Sequence, residues 1–208
     1  TRLNIIYSTF DHCYSKGTTT SSTNRYGGGA IFSATSSYST VAYSNFTNNH
    51  ADSDGGAIYW SGLTASTHNS VIGCIFEYNT ASGKGAQNTN GGGAIYWSEG
   101  GTHGTVRDSK FINNSVYSTT FKADGGAILW DKCKHALIEN CTFDGNYIKS
   151  DQVSNSKVWV QGGAVFIRSG NFTINNCTFE NCWSNKEGGA LYISKLLLWT
   201  LRLPIPNL

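Results

Sequence analysis

Two carboxylates hold matching places late in the chain: Asp144 follows Phe143 and Glu180 follows Phe179, each inside a Phe-x-x-[Asn/Cys] frame. On adjacent turns of a repeat, such a pair could reach the ~5–5.5 Å separation used by retaining glycosidases. The same place in other copies holds Asp11, Thr47, Glu77 and Ile112, so the two also read as part of a scattered surface row. Asp54, Asp124 and Glu187 precede glycine pairs only on alternate copies, too far apart to share a cation comfortably. A polysaccharide lyase would add a basic residue poised beside a calcium site, and Lys and Arg show no such gathering. The titratable residues therefore argue against an enzyme, and Asp144 and Glu180 are the pair to examine if sugar is cleaved.

The remaining reactive side chains are similarly restrained. Cys74, Cys141 and Cys177 share one row, with Cys141 and Cys177 on neighbouring copies and Cys182 five residues beyond Cys177. A strand spacing of ~4.8 Å lies within the Cα window for a disulfide, but parallel stacked side chains aim poorly for one. Buried thiols are the preferred reading, with a Cys141–Cys177 disulfide as the alternative. No Cys-x-x-Cys pair exists, so neither a zinc site nor any other metal or cofactor is expected. His12, His50, His68, His103 and His135 are read as falling at unrelated repeat positions, each a polar surface residue. Sequons stand at Asn45, Asn113, Asn140, Asn171 and Asn176 and are candidate N-glycosylation sites.

These residues are positioned by a repeat. Gly-Gly-Ala-Ile-Tyr-Trp occurs at 55–60 and 92–97, Gly-Gly-Ala-Ile-Leu-Trp at 125–130, and looser copies start at Gly28, Gly162 and Gly188. Between them come Phe10…Cys13, Phe46…Asn49, Phe76…Asn79, Phe111…Asn114, Phe143…Asn146 and Phe179…Cys182. Five residues before each Phe stands a β-branched aliphatic (Ile5, Val41, Val71, Val106, Ile138, Ile174), and two before it a Ser or Cys. Phe172 and Ile174 alternate at spacing 2, and so do Cys177 and Phe179, which is strand periodicity. The phase slips at Asn175-Asn176, which places a corner there. Three short strands per repeat are expected, stacked so that like residues pile on like. The fold predicted is all-β, a parallel β-helix of about six rungs at ~4.8 Å each, close to 29 Å long. It is expected to occupy residues 1–194, leaving 195–208 as an off-repeat apolar tail.

The spacing from each Gly-Gly-Ala alanine to the next Phe stays at 15 to 19 residues, whereas Phe to the next alanine varies from 11 to 21. Excursions near 14–27, 80–91, 115–124 and 147–161 are thus expected along one edge, the side on which solenoids often bind. That edge carries Tyr117, Phe121, Tyr147 and Trp159. In the Gly-Gly-Ala strand, Ile58 inward puts Tyr59 outward and Trp60 back inward. Tyr59 and Tyr96 then form either an outward aromatic row able to stack on sugars or a row packed beneath a loop. The ligand-binding candidates are Tyr59, Tyr96, Tyr117, Phe121, Tyr147 and Trp159.

Composition narrows the partners. Charged residues make up 13% of the 208 and the formal net charge is +2, so no nucleic-acid or acidic-membrane footprint is present. No apolar run is long enough to cross a membrane as a helix, and the absence of Met suggests a processed product or an excised piece. The alternation of Gly-Gly-Ala-[Ile/Val/Leu] with Phe-x-x-Asn over residues 5–193 resembles the repeat of chlamydial polymorphic outer-membrane proteins. It is similar also to repeats of methanogen adhesin-like surface proteins and related protist proteins. The resemblance implies a right-handed parallel β-helix at the cell surface with an adhesive role. A glycan or protein on a cell surface is the expected partner, and exposed solenoid ends could self-associate end to end. A polysaccharide lyase or hydrolase and a structural spacer are the alternatives.

Overall fold

A computed structural model describes residues 2–17, 26–61, 67–83, 91–98, 102–119, 122–155, 158–168 and 170–194. The candidate Phe121 and the segment 195–208 lie outside these residues. Among them every regular element is a β-strand, and all strand pairings are parallel, so the chain is a parallel β-solenoid. Strands of two to four residues alternate with residues at positive φ. One corner column reads Tyr7, Tyr43, Gly73, Asp108, Asn140 and Asn176, with φ between 47° and 61°. The next reads His12, Asn48, Tyr78, Asn113, Gly145 and Asn181, and the first glycine of each Gly-Gly pair makes a third. Asn, Asp and Gly tolerate the left-handed region best, which is why they recur where the coil must turn.

Each repeat contributes four strands, one more than the alternation pattern predicts. The first sheet runs from Asn4–Ile6 to Phe172–Asn175 and carries the Val/Ile row. The second runs from Thr9–Asp11 to Thr178–Glu180 and carries the Phe row. The fourth runs from Ile31–Ser33 to Leu191–Ser194 and carries the Gly-Gly-Ala aliphatics. Each of these has six strands, as does the extra, third sheet: Tyr14–Ser15, His50–Ala51, Thr80–Gly83, Ser115–Ser118, Tyr147–Ser150 and Trp183–Ser184. Segments such as His50-Ala51 are too short and too polar to show period-2 alternation, so sequence pattern does not reveal them.

Identical residues stack in register. Phe10, Phe46, Phe76, Phe111, Phe143 and Phe179 form a column with ring centroids 4.8–4.9 Å apart, and Trp60, Trp97 and Trp130 form a second at 4.4–4.6 Å. Both point into the main core with Val41, Val71, Val106, Ile58 and Ile95. At the corner after the second sheet, asparagines make a continuous ladder. Asn79 Nδ2 donates to Asn114 Oδ1 at 2.9 Å and to Phe46 O at 2.8 Å. Asn114 repeats both bonds, to Asn146 Oδ1 at 3.0 Å and Phe76 O at 2.9 Å. Each buried amide is thereby satisfied, as burial demands. Cys13 and Cys182 terminate the ladder: Cys13 N donates to Asn49 Oδ1 at 3.0 Å, and Cys182 Sγ lies 3.9 Å from Asn146 Nδ2.

The second glycine of each pair serves close approach. A Cβ on Gly56 would stand 2.0 Å from Gly93 O and 2.6 Å from Thr80 O, so the returning chain presses directly on the third sheet. The excursions at 115–124 and 147–161 leave the third sheet and return as ordered structure. Lys122–Asp124 pairs in parallel with Trp159–Gln161. Ala123, Val158 and Val160 pack with Ala81, Val116 and Ile148 in an apolar cluster of their own.

Candidate functional site

The strand pair built from these excursions borders a cavity lined by cationic, aromatic and polar side chains. Its register sets Lys122 beside Trp159, Ala123 beside Val160 and Asp124 beside Gln161. Alternation buries the Ala/Val position and turns the flanking positions toward the fourth sheet. There Arg168, the register partner of Asp131, reaches both carboxylates. Its Nη1 donates to the two Asp131 oxygens at 3.2 Å each and its Nη2 to Asp124 Oδ2 at 3.0 Å. The guanidinium also lies 5.2 Å from the centre of the Phe166 ring. Arg168 thus clamps the excursion pair to the solenoid.

The electrostatics follow from burial. Asp124 is fully enclosed, and loss of hydration pushes its carboxyl up to about 7 against the opposing pull of Arg168 and Lys122. Burial, followed by the like charge of Arg168, lowers the Lys122 ammonium from its ordinary value. Gln161 Nε2 donates to Glu187 Oε2 at 2.6 Å. Lys122, Trp159, Gln161, Phe166, Arg168, Tyr192 and Ser194 line a cavity of about 290 Å³. That is near the lower end of the ~300–1,000 Å³ of small-molecule sites.

Of the sequence candidates, Trp159 stands at this cavity and is 51% exposed. Tyr117 is exposed, and its hydroxyl donates to Asp151, which raises its pKa. Tyr147 is half-buried and stacks on Trp183 at 5.0 Å. Tyr59 and Tyr96 require correction. They do point away from the main core, as alternation predicts, yet both are fully buried, forming a separate column with Leu129 and Phe166. Tyr96 even directs its hydroxyl to Asp131 Oδ2 at 3.4 Å. Neither offers a free face to a ligand; the column is open only toward its ends, at exposed Phe32 and half-buried Tyr192.

Asp144 and Glu180 are register partners on the second sheet, and Asp144 accepts a 2.8 Å bond from Asn181 Nδ2. All six cysteines are free thiols. Cys141 and Cys177 each donate to a nearby carbonyl, at 3.1 Å to Glu139 O and 3.2 Å to Asn175 O, in place of the alternative disulfide. Burial pushes the Cys141 thiol up to about 12, which keeps it protonated and unreactive. Asn45 and Asn171 are exposed sequons. Asn140 and Asn176 commit their amide nitrogens to a column, donating to Asp108 at 3.1 Å and to Asn140 at 2.8 Å. At Asn113 the side chain is half-buried. Among the described residues, no group of three or more His, Cys, Asp or Glu could hold a metal ion.

The histidines were misread from sequence. Tyr38, His68, His103 and His135 stack at 4.6–4.8 Å along one corner. The signal was available: each stands three residues before Val41, Val71, Val106 or Ile138. His50 belongs to another network on the third sheet. Its Nδ1 lies 2.5 Å from Thr80 Oγ1 and its Nε2 lies 3.1 Å from Asp52 Oδ1 and 3.2 Å from Ser82 Oγ. Tyr14 Oη donates to Asp52 at 2.7 Å. Asp52 and Ser82 meet the same ring nitrogen, so the arrangement differs from a Ser-His-Asp relay, in which the two flank opposite nitrogens. It ties neighbouring coils together.

Comparison with known proteins gives one positive result. Among curated proteins and among solved structures, no match to the chain is found. The family model of the Chlamydia polymorphic membrane protein repeat matches residues 43–59. That stretch runs from the Tyr43 corner through Phe46 and Asn49 to Gly55-Gly56-Ala57-Ile58-Tyr59, so it takes in both alternating motifs of one coil. Residues 43–59 therefore carry the Chlamydia polymorphic membrane protein repeat, within a β-solenoid that suits a repeat β-helix family.

Proposed function

We propose that the chain is a non-enzymatic adhesin-like module of a cell surface, which uses the excursion edge of its solenoid to bind a glycan or protein partner. The surface location follows the repeat family matched at 43–59. In this reading the coil is right-handed, as parallel crossovers overwhelmingly are, and completes six turns. The observation that carries the proposal is the ordered excursion pair. Lys122–Asp124 and Trp159–Gln161 have their own apolar cluster and a buried ion-pair clamp, yet leave Trp159 exposed beside a cavity. A spacer needs no such construction, since its stability resides in the stacked core.

The test is adhesion of beads coated with the purified chain to cell monolayers, before and after the cells are treated with glycosidases or proteases. A product assay on acidic polysaccharides runs beside it. Adhesion that enzyme treatment abolishes, without sugar release, supports the module and tells glycan from protein. Release of sugar that Asp144→Asn or Glu180→Gln abolishes would replace the proposal with a polysaccharide-active enzyme. No adhesion and no product would favour the spacer.

A further inference from the structure

We propose that the cavity between the excursion pair and the fourth sheet is a subsite for one carboxylate-bearing sugar residue of an acidic glycan. This rests on the reading above that the excursion edge is the binding face, and it names the ligand class and the residues. Size comes first: about 290 Å³ suits a single sugar ring better than an extended chain. Trp159 comes next. Trp60, Trp97 and Trp130 are buried in the core, whereas Trp159 keeps half its surface open at the cavity. An indole held at a rim by a strand offers a flat apolar face to the C–H groups of a pyranose and loses little entropy on binding.

Charge decides between neutral and acidic sugars. Both cations of the cluster, Lys122 and Arg168, line the cavity, while the carboxylates Asp124 and Asp131 do not. Arg168 is held from behind by those carboxylates at 3.0–3.2 Å, which fixes its position. Lys122 is partly withdrawn from water and stands near the cations Arg168 and Lys132, and together these effects disfavour its charge more than Asp124 and Asp131 favour it. An entering carboxylate would offset that penalty, whereas a neutral sugar would not. Gln161, Tyr192 and Ser194 supply the polar groups that a ring's hydroxyls need at the remaining wall.

The test is titration calorimetry of the full chain with 3′-sialyllactose, with a galacturonate trimer and with lactose. Saturable binding of at least one acidic sugar is expected, at least tenfold tighter than lactose, and whichever acid binds identifies the source. Trp159→Ala and Lys122→Gln should each weaken it tenfold or more, while Lys122→Arg retains it. Tyr7→Ala, at an exposed corner of the first coil, should leave it unchanged. Circular dichroism melts identify any variant that has lost its fold, and Lys122→Arg against Lys122→Gln then decides the cation's role on its own. Lactose binding as tightly as the acids, or acid binding that survives Trp159→Ala and Lys122→Gln, would overturn the subsite while leaving the binding-module reading in place. Absence of binding to any sugar, together with cell adhesion insensitive to glycosidase, would overturn the subsite and redirect that reading to a protein partner.

Discussion

At the residue scale, Arg168 joins two carboxylates that stand on different strands, 37 and 44 residues before it in the chain. Asp131 ends a strand of the fourth sheet and Asp124 ends the excursion strand, and both are buried. Removing the guanidinium leaves Asp131 buried without its cation, a change that typically costs ~3–5 kcal/mol, while Asp124 takes up a proton instead. The Arg168 side chain is 21% exposed, which favours the lower part of that range. Arg168→Ala should lower the urea midpoint accordingly, and Arg168→Lys should recover part of the loss because a lysine cannot reproduce the fork. Asp124 adds a pH dependence with a definite sign. Its carboxyl lies at about 7 in the folded chain against an ordinary 3.8, so between those values the native state holds more proton than the unfolded one. Stability therefore falls as pH rises through that window and levels off above it. Melting temperatures from pH 4.5 to 8 should show this decline in the wild type, and Asp124→Asn should remove that component. The sequence shows Asp124 as one of the acids before a glycine pair, alongside Asp54 and Glu187, but not its partner, because Arg168 and Asp131 share a repeat position that other copies fill with Ser61 and Ser98.

At the scale of elements, like-on-like stacking accounts for most of the architecture. The Phe, Val/Ile, Asn and Gly-Gly-Ala rows could be read from sequence because every copy needs the same shape at the same place. What lay outside that logic was missed. The third sheet has no alternation to detect in pieces such as His50–Ala51. The histidine corner is marked only by an offset, His68, His103 and His135 each standing three residues before the Val/Ile row, while His12 and His50 stand elsewhere. The direction of Tyr59 and Tyr96 was legible from strand alternation, which left open whether the outward row is exposed or packed beneath a loop; both side chains are fully buried. The energetic prediction is positional. Phe111 is fully buried between Phe76 and Phe143, whereas Phe10 is only half-buried and stacks on Phe46 alone. Phe111→Ala should cost ~3–5 kcal/mol in chemical denaturation, as large-to-small core changes do, and Phe10→Ala distinctly less.

At the scale of the molecule, the inward columns are buried in the middle coils and only half-buried in the first and last described ones. Val41, Val71 and Val106 are buried, while Ile5 and Ile174 at either end of the same column are half-exposed. We propose that copies stack end to end, and sedimentation velocity at rising concentration should show larger species that Phe10→Glu reduces. A constant monomer coefficient over the same range would count against it. In the proposed function a rigid repeat core displays a recognition edge built on Trp159 and Lys122. The most direct measurement is a glycan array probed in parallel with the wild-type chain and Trp159→Ala. Wild-type retention should concentrate on carboxylated glycans and be lost in the variant. Retention of both proteins with the same pattern, or of neither, would contradict it.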